Sequence, residues 1–349
     1  MSTDPGIRLS AVYTDLDDTD FSAGIALLDS HGFDVAYLDS QDPDVIVAGA
    51  ENAVALLVGY AEITRGMIER MPSIRVIALM SMGFNNVDVD AASEHGIWVT
   101  NIPGAATEEV ATHALALALH GARGLSFYGR VTRHGGWNVR DTVVPERLSE
   151  TTLGVVGLGK IGSKLAELAR PLFGEIVGYD PMLPDTAETR ERLADLGVRR
   201  GSLEDVRAEA HVLSLHLPLF ESTANMVDAA FLSAMRPGSF LINVSRGGLV
   251  DSAALAASLD AGHLSGAGLD VLDVEPPASD HPLVGHPRVL LTPHVAYWSR
   301  FTDAEYVRQQ AQNVISWAQT GTPDSPVAAV AQPKPAPHPT NASLAAYSA

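Results

Sequence analysis

The chain has 349 residues, enough for two domains with separate cores, and 46% of them are hydrophobic. It has no cysteine, which excludes disulfides, a thiol nucleophile and cysteine metal ligands. The 23 Lys and Arg against 42 Asp and Glu leave a net charge of −19, which opposes nonspecific binding to nucleic acid or anionic lipid and confines any anion site to individual arginines.

Met1 to Ser10 lack a basic stretch followed by an apolar one, so no signal peptide is expected, and no apolar run reaches the roughly 18 residues of a membrane span. A cytoplasmic location is expected. Residues 8–104 then alternate between two kinds of segment. Strands are expected at Ala11-Val12-Tyr13, Val35 to Leu38, Ala55 to Val58, Ile74 to Leu79 and Ile97 to Val99, and helices at Phe21 to Ser30, Ile63 to Met71 and Val89 to His95. Such alternation predicts an α/β fold with a parallel sheet covered on both faces. Ligands sit beyond the carboxyl ends of such strands, which singles out Gly59-Tyr60-Ala61-Glu62 and Met80 to Asn86.

Ala105 to Gly124 reads as a long helix capped by Thr107, with Glu108 and Glu109 at the positive end of its dipole. It is the expected first connection between the two domains. Residues 125–150 lose the periodicity and carry Gly135-Gly136-Trp137 with several arginines, as either a subunit-contact arm or a plain surface loop.

Leu153 to Val156 is a short apolar run that stops at Gly157-Leu158-Gly159-Lys160-Ile161-Gly162, and an apolar helical pattern follows. Strand, tight turn and helix in the spacing G-x-G-x-x-G suit a dinucleotide. Gly157 permits the turn, Gly159 admits a diphosphate to the backbone, and Gly162 lets helix and strand pack closely. The next apolar run, Glu175 to Tyr179, ends in Asp180 followed by Pro181. A carboxylate there accepts hydrogen bonds from the adenosine ribose and repels a 2′-phosphate, so NAD is expected over NADP.

The alternation continues to residue 295, making a second doubly wound unit. Three polar residues follow its later strands: Arg246 after Phe240 to Val244, Glu275 after Gly266 to Val271, and His294 after Val289 to Thr292. Hydride reduction of a 2-oxo acid needs a cation for the carboxylate and carbonyl, an acid for the carbonyl oxygen, and a group that keeps the acid protonated. Arg246, His294 and Glu275 supply these chemistries in that order. His281, His286 and His294 do not have closed tetrahedral zinc spacing, so no metal is expected. Thr302-Asp303-Ala304-Glu305 has the form of a capping box, opening a helix that stops at Gly321. That helix is expected to cross back to the first domain, leaving a cleft. The Pro/Ala-rich residues 326–349 are expected to be a mobile tail.

With these residues in place the chain resembles the D-isomer-specific 2-hydroxyacid dehydrogenases over about residues 10–325. The matching segments are the glycine loop with Asp180, Asn243-Val244-Ser245-Arg246-Gly247-Gly248-Leu249-Val250-Asp251, Gly268-Leu269-Asp270-Val271 with Glu275-Pro276, and Thr292-Pro293-His294. The resemblance implies a Rossmann-type NAD-binding domain, residues 105–295, inserted into a flavodoxin-like substrate-binding domain, residues 1–104 plus 296–325. It implies catalytic roles for Arg246, Glu275 and His294. It places the glycine loop, Asp180, Pro181, His216, Leu217, Pro218, Thr223, Val244, Ser245, Arg246, Asp270, His294 and Ala296 around NAD. Substrate contacts are expected at Tyr60, Ala61, Ser81, Met82, Gly83, Arg246, His294, Tyr297 and Trp298. A homodimer built on the nucleotide domain is implied, with residues 125–150 contributing.

Two positions depart from the family pattern. Ser81 stands where the family usually has glycine, and Gly59-Tyr60-Ala61-Glu62 lacks the basic residue that phosphoglycerate dehydrogenases use on phosphate. Asn101 to Glu109 and Pro293 to Ser299 look most like the C-terminal-binding protein branch, which includes NAD-binding corepressors, although the tryptophan expected at Tyr297 is here Trp298. The expected activity is therefore NAD(H)-dependent interconversion of a small D-2-hydroxy acid and its 2-oxo acid. The alternatives are an NAD-sensing scaffold and a phosphoglycerate dehydrogenase.

Overall fold

A computed structural model describes residues 8–15, 19–137 and 144–335. The chain divides into two compact units, Met1–Ala105 with Ser299–Ala349, and Ala106–Trp298. Residues 296–298, expected with the substrate domain, thus group with the nucleotide unit. No helix among the described residues is long and apolar enough to cross a membrane.

The first unit holds β1 (Leu9–Tyr13), α1 (Ser22–Ser30), β2 (Phe33–Tyr37), α2 (Pro43–Gly49), β3 (Ala55–Val58), α3 (Arg65–Arg70), β4 (Val76–Leu79), α4 (Val89–Glu94) and β5 (Trp98–Thr100). To these the end of the chain adds α12 (Arg300–Thr320). The five parallel strands run in the order β2-β1-β3-β4-β5. β3 and β4 are unbroken apolar runs buried along their whole length, as strands covered on both faces must be.

Helix α12 closes one face of this sheet. Trp317 and Val307 are fully buried in a core shared with β1, β3 and β4. Gly24 of α1 lets the helix approach, since a Cβ there would lie 2.6 Å from Val307 Cγ1. The N-cap of α12 is Ser299, whose hydroxyl accepts the N–H groups of Phe301 and Thr302. The box expected from Thr302 and Glu305 therefore gives way to one from Ser299 and Thr302, and Thr302 is the buried third residue of the helix. Gly321 ends the helix in the left-handed region, as its position predicts. The described part of the expected tail is tied down. Pro326 pairs with Thr100, Val327 N–H donates to Val99 O, and Lys334 N–H donates to Gly96 O. Residues 336–349 lie outside the described residues.

The second unit holds α5 (Thr107–Arg123), α6 (Leu125–Arg133), β6 (Thr152–Val156), α7 (Lys160–Ala169), β7 (Glu175–Tyr179), α8 (Ala187–Leu196), β8 (Val198–Arg200), α9 (Leu203–Glu209), β9 (Val212–Leu215), α10 (Ala229–Ser233), β10 (Phe240–Asn243), α11 (Ser252–Asp260), β11 (Gly266–Leu269) and β12 (Val289–Leu291). Its seven parallel strands run in the order β12-β11-β10-β9-β6-β7-β8, reversing between β6 and β9. Helix α5 packs tightly on this sheet, because Gly121 faces the Phe240 ring at a distance that leaves no room for a Cβ. Ala106, rather than the expected Thr107, is the N-cap, and it offers no side-chain bond. The segment after α5, expected to be irregular, is helical over α6 because Gly124 in the left-handed region ends one helix and starts the next.

Trp317→Ala empties the largest fully buried site of the first unit's core. It should lower unfolding stability by about 3–5 kcal/mol, read from the urea midpoint.

Candidate active site

The glycine loop joins β6 to α7. Gly157 has φ +99°, and a Cβ there would stand 2.5 Å from His216 O. At Gly162 a Cβ would stand 1.9 Å from Gly157 O, so neither position admits a side chain. At Gly159 a Cβ would meet nothing within 4 Å, so the space above it is open to a ligand. Asp180, at the end of β7, accepts the Leu158 N–H at 2.8 Å and the Met182 N–H at 2.9 Å, which fixes its carboxylate beside the loop. An open cavity of about 360 Å³ is lined there by Leu158, Gly159, Lys160, Ser163, Asp180, Met182, Leu183 and Arg192. Open space over Gly159, the N-terminus of α7 and a fixed carboxylate fit a dinucleotide's diphosphate and ribose. Pro181 is exposed beside this cavity. Ser163 and Arg192 were not legible in the sequence. Arg192 reaches Ser163 Oγ at 3.1 Å from another helix, across 29 residues of chain.

On the other side of the strand-order reversal, β9 leads into His216, Leu217 and Pro218. Burial pushes His216 down to about 4, so its ring is neutral near neutral pH, and its Nε2 lies 2.9 Å from Ser214 Oγ. The Thr223 hydroxyl donates to Pro218 O and accepts the Phe220 N–H, holding this turn.

The polar residues expected for chemistry meet at the carboxyl ends of β10, β11 and β12. After β10, Val244 is buried and Ser245 donates to Leu215 O. Buried Asn243 accepts the Ser245 N–H and donates to Arg246 O, bracing the turn. Burial pulls the Arg246 guanidinium below the usual arginine value, and the charge of Glu275 opposes that. Gly247 touches the next loop so closely that a Cβ would lie 1.8 Å from Leu272 C. Leu272 N–H in turn donates to Glu275 Oε1 at 2.8 Å, and Glu275 Oε2 lies 2.6 Å from His294 Nδ1. Burial pushes the Glu275 carboxyl up. The hydrogen bonds from His294 and the Leu272 N–H, with the charges of His294 and Arg246, outweigh that and hold it below the usual glutamate range. An ionised carboxylate only accepts, which puts the His294 proton on Nδ1 and leaves Nε2 for a substrate.

Asp270 holds the backbone that carries His294. The carboxylate is buried and accepts Thr292 Oγ1 at 2.6 Å, Val295 N–H at 3.0 Å and Ala296 N–H at 2.9 Å, while its carbonyl accepts His294 N–H. His294 itself sits at φ +53°, a conformation that costs a non-glycine residue about 1–2 kcal/mol and is kept by this set of bonds. His113 of α5, unforeseen in the sequence, lies 3.1 Å from Thr292 Oγ1. Tyr297 presents its ring edge-on to His294 at 6.5 Å, and Trp298 is largely exposed. His281 and His286 pair with Asp273 and Asp260, each apart from the His294–Glu275 pair.

In the first unit, Tyr60 is exposed, whereas Ala61, expected to touch substrate, is fully buried. The methyl group of Ala61 belongs to the core, because its strand-end peptide is bonded at both N–H and C=O. The Ser81 hydroxyl turns back onto Gly83 O at 2.6 Å, and the Asn101 amide donates to Met82 O at 2.7 Å. The N–H groups of Ser81, Met82 and Gly83 make no hydrogen bond to other described residues.

Residues 115–296 match the family described as "D-isomer specific 2-hydroxyacid dehydrogenase, NAD binding domain". The chain is 33% identical over 313 residues to a glyoxylate reductase of Aeropyrum pernix, covering 87% of this chain and 92% of that one. It is 34% identical over 278 residues to a D-3-phosphoglycerate dehydrogenase of Bacillus subtilis, but spans only about half of that relative's length, 52%. A solved D-lactate dehydrogenase from Aquifex aeolicus, complexed with NAD and lactic acid, superposes with a TM-score of 0.79 at 26% identity over 88% of this chain and 95% of that one. With its glycine loop, its His294–Glu275 pair and this likeness along most of its length, the chain belongs to the D-isomer specific 2-hydroxyacid dehydrogenase family, oxidoreductases that use NAD to interconvert 2-hydroxy and 2-oxo acids.

Proposed function

We propose that this chain reduces a small, singly charged 2-oxo acid such as glyoxylate or hydroxypyruvate with NADH, and oxidises the D-2-hydroxy acid in reverse. The observation that carries this reading is the His294–Glu275 pair at 2.6 Å, joined through Leu272 to the Arg246 turn. Arg246 binds the substrate carboxylate and polarises the carbonyl through paired donors. His294 Nε2 gives its proton to the carbonyl oxygen, and in the reverse direction takes the hydroxyl proton. Glu275 holds the imidazole ring by its Nδ1, which leaves Nε2 to act. Bound along the Gly159 side of the second unit, NADH supplies the hydride. Asp180 favours NAD over NADP, since a 2′-phosphate would meet its carboxylate.

The intact acid–base pair favours turnover over a scaffold that only binds NAD. Exposed Glu62, with no basic residue in Gly59-Tyr60-Ala61-Glu62, disfavours a phosphorylated substrate. A homodimer built on the second unit, in the cytoplasm, completes the reading. Helix α6 has no buried residue, and Leu125 and Trp137 stand exposed near it, which supports a subunit contact there.

NADH absorbance with a panel of 2-oxo acids tests the activity. His294→Ala should lower kcat by about 10²–10⁴-fold. A His294→Ala rate equal to the parent's would remove the acid from the scheme. Arg246→Lys keeps the charge but loses the paired donors, and should raise KM for the acid and lower kcat together.

The two glycines should separate. Gly162→Ala pushes a methyl into Gly157 O and should cost about 1–3 kcal/mol of stability. Gly159→Val should leave the urea midpoint near the parent's and weaken NADH binding instead, as read by fluorescence titration.

Because Glu275 is held below the usual glutamate range, its share of stability is present above that range and lost as pH falls through the depressed value. Glu275→Gln should therefore be less stable than the parent near neutral pH. The gap should narrow as pH falls below the usual glutamate range in urea titrations at stepped pH.

A further inference from the structure

Two loops follow the central strands of the first unit, and their amides are used in opposite ways. After β3, the N–H groups of Gly59, Tyr60 and Ala61 converge on Asp15, at 3.1, 2.7 and 3.4 Å. Asp15 lies two residues beyond β1 and is 5% exposed. It also accepts the Thr14 hydroxyl and the Gln41 side-chain amide. Successive amides aimed at one point make an anion-binding concavity. Here the anion is one of the chain's own side chains.

After β4 the arrangement is reversed. The carbonyl groups of Ser81, Met82 and Gly83 are tied by Ile102 N–H, the Asn101 amide and the Ser81 hydroxyl. The three residues are half-buried, and their N–H groups bond to no other described residue. That loop offers donors, and the Asp15 loop has none of its three left. The position of Asp15 matters as well. β1 and β3 are sheet neighbours between which the strand order reverses, and ligands bind open parallel sheets at the carboxyl edge of such a reversal.

We propose that Asp15 is a positioning residue that sets substrate charge. By filling the Gly59–Ala61 concavity it fixes the loop bearing Tyr60 and closes those amides to a second anionic group. The chain then favours 2-oxo acids with one carboxylate and discriminates against 2-oxo dicarboxylates and phosphorylated 2-oxo acids. Exposed Glu62 beside the same loop adds charge of the same sign. This rests on the 2-oxo acid reading of the site given above.

The test compares parent, Asp15→Asn and Asp15→Ala as full chains with NADH, on glyoxylate and on 2-oxoglutarate. In Asp15→Ala the loop loses its anchor, so KM for glyoxylate should rise about tenfold with kcat within about threefold. NADH affinity should not change. Formate, a carboxylate small enough to refill the concavity, should restore KM in Asp15→Ala and leave the parent unaffected. Asp15→Asn keeps an acceptor oxygen without the charge. Its NH2 group then faces one of the N–H groups that the carboxylate accepted, so glyoxylate KM should rise less than in Asp15→Ala, and the kcat/KM ratio of glyoxylate over 2-oxoglutarate should fall by about tenfold.

An unchanged ratio in both variants, in a parent that reduces glyoxylate, overturns the proposal and leaves the site reading standing. A parent that reduces none of the acids overturns both. If Asp15→Ala does not fold, the Asp15→Asn ratio decides alone.

Discussion

One hydrogen bond organises the chemical half of this molecule: Glu275 Oε2 to His294 Nδ1 at 2.6 Å. It decides which imidazole nitrogen faces outward and helps to hold the Glu275 carboxyl below the usual glutamate range. Neither residue holds itself in place. Glu275 depends on the Leu272 amide, and Leu272 is pressed by Gly247 in the turn that carries Arg246. His294 depends on Asp270, whose carboxylate collects the Thr292 hydroxyl and two backbone amides. Three loops from three adjacent strands are thereby locked into one piece. That is the preorganisation a polar reaction needs if the protein is not to rearrange while charge moves.

The sequence made the local parts of this arrangement legible. Gly157, Gly159 and Gly162 stand in a spacing that only a tight strand-to-helix turn explains, and each does something different in the structure. Apolar runs marked β3 and β4, because strands buried on both faces leave no polar position to obscure them. Helix α2 is legible at its start, where Asp42 caps it and Pro43 opens it. The start of α12 was misplaced because two consecutive cap-like patterns overlap, and Ser299, before a basic residue, is the weaker one to the eye.

What sequence could not give is pairing over distance. Asp15 meets its loop across 44 to 46 residues, and His113 meets Thr292 across 179. No spacing rule links such residues, since their meeting depends on strand order rather than on any repeat. Likewise Ala61 was expected to contact substrate because it belongs to a strand-end loop. Its small side chain instead turns inward while its peptide is held by Asp15 and Asn86.

The C-terminal pairing of the first unit has a consequence for how this chain is made. Its sheet takes a covering helix, α12, and an edge partner, Pro326, from residues that leave the ribosome only after the whole second unit. Residues 106–298 are complete before Trp317 exists, so the unit begun first must be finished last. During synthesis β1, β3 and β4 wait with one apolar face uncovered. That interval, rather than any weakness of the finished molecule, is when this protein is most exposed to aggregation.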